Sequence, residues 1–153
     1  MSTIKVFCDG SCSVHDPELH GAFCSVIDIP GNDLTILKGG QSHTTISKME
    51  IKAVSAALTY LFEYANHRGF PSEIDSVQIY SDSSYVVNCA TGENKIKANK
   101  CTWSELLTAH SSLLALIPNI IIIKISRNAE PESEFADKIA GEIREILMKH
   151  KTK

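Results

Sequence analysis

Between Lys48 and Tyr64 the apolar residues change their spacing, and this change limits the fold more than any other feature of the chain. Upstream, apolar residues come in short β-branched runs: Ile4–Cys8, Ala22–Ile29 and Leu34–Leu37, the last two joined by the turn "PGND". Such runs read as strands, and the tight connection makes an antiparallel meander. From Lys48 onward, Met49, Ala53, Ala56/Ala57, Tyr60/Leu61 and Tyr64 recur every three or four residues, the period of an amphipathic helix. "HRGFPSE" ends it, and Val77–Tyr80 reads as a fourth strand. "SDSSYVVNCA" supplies cap residues and a short helix, and Thr91–Lys100 is a polar, basic loop. Trp103–Leu116 has helical spacing. Ile120–Ile125 is apolar throughout, so it reads as a strand covered on both faces. Phe135, Ile139, Ile143 and Ile146/Leu147 mark a last amphipathic helix. The order β-β-β-α-β-α-α-β-α predicts an α/β fold. Its mixed five-stranded sheet has three antiparallel strands followed by parallel ones, with helices on its faces. A length of 153 residues suits a single domain over residues 1–153.

Bulk properties exclude several classes. A net charge of −3 creates no global field toward nucleic acid or acidic lipid, so a nucleic-acid role needs a local arrangement of cations. The apolar run at Ile120–Ile123 is far too short to cross a bilayer. No signal peptide is expected, since no long apolar segment precedes Asp9. Five cysteines, at positions 8, 12, 24, 89 and 101, form no CxxC pair. They predict reduced thiols and a cytoplasmic setting rather than a disulfide framework or a zinc site.

Four acids stand at element ends. Asp9 follows "IKVFC", and Asp82 follows "VQIY". Glu50 lies near the start of the long helix, beside core-facing Met49, and Asp137 opens the last helix in "SEFADKIAG". Taken singly each has an ordinary reading. Asp-Gly is turn chemistry, Asp82 is a candidate N-cap, and Glu50 and Asp137 suit helix N-termini. Taken together they suggest a cluster, because groups at strand ends near a switch in strand order converge. Like charges at a few ångströms repel, and divalent cations relieve them. Oxygen-only ligands favour Mg²⁺ or Mn²⁺ over zinc, and two such ions are a recurrent device for phosphodiester cleavage.

"CDGSC", "TTISKMEIKAVSAAL", "IYSDSSYV" and "EFADKIA" together resemble, in order and at family-like spacing, the four motifs of type 1 ribonuclease H. The resemblance covers Ile4 to about Ile146. It implies a ribonuclease H-like sheet and endonucleolytic cleavage of the RNA strand of RNA–DNA hybrids, leaving 3′-hydroxyl and 5′-phosphate ends. It further implies two Mg²⁺ ions (or Mn²⁺) on Asp9, Glu50, Asp82 and Asp137, and a chain acting as a monomer away from membranes. Thr44 and Thr45 match a Thr-Thr pair that holds a DNA phosphate. Gly10 and Ser11 would bring backbone close to substrate, and Ser84, in the "SS" after Asp82, would face it.

The chain also departs from the family. Arg127 stands where many members carry a flexible His, a position at which archaeal-type members resemble this chain in having Arg, and Ser133 stands at an Asn position. Arg is no general base at neutral pH, but it suits a phosphate. "SVHDPELHGAF" replaces a glycine-containing turn, with His15, Asp16 and His20 as candidate substitutes. Ile46 and Ser47 replace two Asn residues that would read the hybrid minor groove, so Ser47 is the remaining polar candidate there. Of a basic handle only Thr91–Lys100 remains, with Lys95, Lys97 and Lys100 as candidate phosphate contacts. Two alternatives stay open: a non-catalytic nucleic-acid-binding domain, and another nuclease on the same sheet. The related exonucleases carry a second acid two residues after the first, where this chain has Ser11.

Overall fold

The computed structural model describes residues 2–13, 15, 17–126 and 131–151. Its elements run β1 (Ser2–Cys12), β2 (Gly21–Asp28), β3 (Thr35–Gln41), α1 (Ile46–His67), β4 (Ile74–Ser81), α2 (Ser84–Ala90), α3 (Lys100–Leu114), β5 (Ile120–Lys124) and α4 (Pro131–Lys151). The five strands form one sheet in the order β3-β2-β1-β4-β5. β1 pairs antiparallel with β2, and β2 with β3. β1 and β4 are parallel, as are β4 and β5. The mixed sheet expected from the periodicity is therefore the one observed, with strand order switching at β1.

Strand alternation gives the sheet two different faces. Ile4, Val6 and Cys8 of β1 point to one side, into a core with Ile51, Val54, Leu58 and Leu61 of α1 and with Trp103, Leu106 and Leu113 of α3. Trp103 is 1% exposed and gives its indole N–H to the Tyr85 hydroxyl at 2.9 Å, so it is a core residue with its polar end satisfied. On the opposite side Phe7, Ala22, Cys24 and Val26 pack against Ala136 and Ala140 of α4. The side chains of Ile143, Ile146 and Leu147, predicted to pack there, lie outside the described residues.

One expectation fails. β5 is not covered on both faces: it is the edge strand, and Ile121 is 46% exposed while Ile122 is buried. Helix α4 packs over β1, β2 and β3, so the apolar run of β5 has a layer on one side. Continuous hydrophobicity reported strand propensity here, not depth.

Two close approaches fix the entry to α1. A Cβ at Gly10 would sit 2.6 Å from the Glu50 amide nitrogen and 2.8 Å from the Met49 carbonyl carbon. A Cβ at Gly21 would sit 2.5 Å from Thr44 Cγ2. The segment between β1 and β2 is fastened to the same region by backbone bonds, His43 N–H to Glu18 O at 2.6 Å and Thr44 N–H to Leu19 O at 3.2 Å. Replacing Gly10 with Ala forces backbone apart where no flexible side chain can yield. We expect it to cost roughly 2–3 kcal/mol in urea denaturation. It should reduce activity beyond the unfolded fraction, because Glu50 moves with the helix.

Candidate active site

The parallel register of β1 and β4 sets Phe7 opposite Tyr80, and their rings stack with centroids 5.0 Å apart. Two positions after each ring come Asp9, inside β1, and Asp82, the first residue past the end of β4. The aromatic pair is thus the floor on which the two acids stand. Gly10 lets the N-terminal end of α1 press against β1, and this delivers Glu50 to the same place. Carboxylate oxygens of Asp9, Glu50 and Asp82 all lie within 4.8 Å of one another. Asp137 arrives from α4 and hydrogen-bonds Asp9. A cleft beside them is lined by Asp9, Asp82 and Asp137 with Tyr80, Ser126 and Ser133.

Two details of this convergence differ from expectation. Asp82 is not the cap of α2: Ser83 is, its hydroxyl accepting from the Val86 N–H at 3.2 Å. That leaves the Asp82 carboxylate for the cluster. Asp137 does not open α4, whose first turn carries Glu132 and Glu134 instead. It lies in the second turn, where Ala136 and Ala140 bring the helix close to the sheet.

Asp9 is 7% exposed, and its Oδ2 is buried without a hydrogen-bond partner. Burial, the hydrogen bond that protonated Asp9 donates to Asp137, and the charges of Asp82 and Asp137 push its carboxyl from 3.8 up to about 8, against a lowering by the Gly10 N–H. An orphaned buried oxygen among carboxylates fits a hard divalent cation. The neighbouring thiols do not form a soft-metal site. Burial pushes Cys8 and Cys24 up to about 12, and Cys12 donates to the Leu19 and Thr44 carbonyls.

A family model for RNase H matches residues 1–143. The chain belongs to the ribonuclease H family. Among its relatives, a ribonuclease H of Caldicellulosiruptor saccharolyticus is 32% identical over 104 residues, 67% of this chain, and the match spans 62% of that relative's length. A ribonuclease H of Treponema denticola is 25% identical over 95% of this chain and 99% of its own. In fold, the chain is similar to LC11-RNase H1, solved in complex with an RNA/DNA hybrid, at TM-score 0.74 and 20% identity, covering 95% of this chain and 99% of that one.

The other predicted site residues of this ribonuclease H family member are scattered around the acids. Thr44 is 2% exposed, with its methyl against Gly21 and its hydroxyl buried without a hydrogen-bond partner. Thr45 is exposed and caps α1, accepting from the Lys48 N–H at 3.1 Å. Ser47 is half-buried in the first turn of α1, and Ser84 is exposed at the start of α2. Gly10 is engaged with α1 rather than open to solvent. Lys95 and Lys97 are exposed in the segment between α2 and α3. His15 is exposed, whereas His20 is buried, its Nε2 3.4 Å from Glu18. Arg127 and Asp16 lie outside the described residues. Sequence reasoning missed Arg144, whose Nη1 donates to Ser11 Oγ at 2.7 Å.

The raised Asp9 carboxyl has a measurable consequence. Between about 3.8 and about 8 the folded protein holds a proton that the unfolded chain has released. The stabilisation is therefore full below 3.8 and is lost as pH rises through about 8. In chelator-treated protein the melting temperature should fall from pH 5 to pH 8.5. Asp9→Asn should flatten this dependence and be the more stable form at pH 8.5 by roughly 1–3 kcal/mol. Parallel melting curves for the two proteins would contradict the assignment.

Proposed function

We propose that this chain cleaves the RNA strand of RNA–DNA hybrids, with two Mg²⁺ ions (or Mn²⁺) held by Asp9, Glu50, Asp82 and Asp137. The observation that carries this reading is the meeting of acid oxygens from β1, α1 and β4 within 4.8 Å, with Asp137 hydrogen-bonded to Asp9. When bound, the cations neutralise the carboxylates and supply Lewis acidity for phosphodiester hydrolysis. The family and the hybrid complex of the structurally similar LC11-RNase H1 support the substrate class.

The remaining roles rest on the resemblance to the family. Asp9 gives up its proton before the cluster takes a cation, so cation binding strengthens as pH rises. Thr45, Ser47 and Ser84 border the acids from the first turns of α1 and α2 and hold the hybrid's backbone. Gly10 and Ser11 set the β1 edge of the same surface. Thr44 supports Thr45 from below. Lys95 and Lys97 hold phosphates, and Arg127 holds another. Among the described residues no helix is long and apolar enough to cross a membrane. A monomer working in the cytoplasm is consistent with the free cysteines.

The test is cleavage of an end-labelled hybrid in Mg²⁺, run beside single-stranded RNA, double-stranded RNA and double-stranded DNA. Cutting of the hybrid's RNA strand is expected, with loss of about 10³-fold or more in Asp9→Asn and in chelator. Full activity in a folded Asp9→Asn protein would falsify the four-acid account. Equal cutting of double-stranded RNA would leave the chemistry standing and overturn the hybrid preference.

A further inference from the structure

We propose that Arg144 is a substrate-binding residue: its guanidinium, held on Ser11 beside the acids, takes a backbone phosphate of the nucleic acid adjacent to the one being cleaved. This deepens the nuclease reading above and rests on it. Arg144 stands seven residues after Asp137 on α4. Seven residues of helix turn through nearly two full circles, so both side chains leave the same stripe, about 10 Å apart along the axis. Ser11 stands two residues after Asp9, on the same face of β1 and about 7 Å along the strand. Arg144 and Ser11 thus repeat, one step along, the pairing that Asp137 and Asp9 make.

The bonding of Arg144 is lopsided. Nη1 donates to Ser11 Oγ at 2.7 Å, and Nη2 donates to Glu145 Oε1 at 3.1 Å. The side chain of Glu145 is 55% exposed, so this second contact is a solvated pair between chain neighbours and holds little. Nε is buried with no hydrogen-bond partner. A half-buried cation with an unmade bond is a poor packing element, since an apolar side chain would fill the same place without desolvating a charge. Nη2, whose partner is a solvated carboxylate, is the donor free to turn to a backbone phosphate, while Ser11 keeps the guanidinium plane in place.

The placement also answers the charge problem raised by the composition. The chain is negative overall and gathers four acids at the site, so a polyanion needs local cations to settle there. Lys95 and Lys97 lie between α2 and α3, on the side of the sheet that carries the larger core. Arg144 belongs to α4, on the opposite face. Asp9 lies on β1, the strand that both layers of helix contact. A nucleic-acid strand crossing the acids meets cations on both flanks.

The experiment measures hybrid cleavage for wild type, Arg144→Ala, Arg144→Lys and Ser11→Ala over a KCl series, with melting temperatures for each. Arg144→Ala should raise KM about 10-fold, with kcat within about twofold, and lower the slope of log KM against log[KCl] by about one. Arg144→Lys should retain the slope and recover part of the KM. Ser11→Ala frees the guanidinium and should raise KM less than Arg144→Ala does. If Arg144→Ala lowers the melting temperature but keeps wild-type KM and salt slope, Arg144 is a structural strut and the proposal fails alone. If wild type neither cleaves nor binds the hybrid, the nuclease reading fails and this inference falls with it.

Discussion

The parallel register of β1 against β4 is the constraint from which the site follows. It sets Phe7 on Tyr80, and two positions after each ring stands an aspartate. The strand fixes the direction in which Asp9 leaves β1, and Asp82 follows directly on the end of β4. The repulsion is built in by hydrogen bonds of the sheet, which outweigh it in number. What remains adjustable is the protonation of Asp9 and the presence of a cation. The carboxyl pushed up to about 8 is the protein's own answer to its geometry when no other positive charge is at hand.

The two faces of the sheet divide the work unequally. α1, α2 and α3 share a large core with one face, and that core holds the fold. Among the described residues α4 meets the other face through Ala136 and Ala140, which pack with Phe7, Ala22, Cys24 and Val26. Small contacts let the helix lie close, and closeness is what carries Asp137 to Asp9.

Much of this was legible in the sequence, because period and motif are local properties. The three leading strands and the helix at Lys48–Tyr64 could be read from spacing, and the four acids in order from their places at element ends and the motifs that resemble ribonuclease H. What was not legible depended on neighbours. Ile120–Ile125 reads as a buried strand, yet strand order puts it at an edge where one face stays bare. Asp82 and Ser83 are equally good caps in a list of residues, and only the backbone path decides that Ser83 serves. Arg144 reads as an ordinary charge on a helical surface. Its one sequence signal is the interval of seven from Asp137, which has meaning only once Asp137 is known to face the sheet.

Residues 9 to 11 compress the design into three positions. Strand alternation sends Asp9 and Ser11 toward α4 and turns Gly10 toward α1. Asp9 meets the other acids, Gly10 sets how near Glu50 can come, and Ser11 holds Arg144. Each residue thus fixes the position of a different element against the same strand. A change at Gly10 moves α1, and with it the acid that Asp9 faces. A change at Ser11 releases a side chain on the stripe that carries Asp137. Effects at these three positions cannot be independent, since they share one backbone and act on one cluster of charge. An apparent turn dipeptide after a strand is here the point to which both layers of helix are aligned.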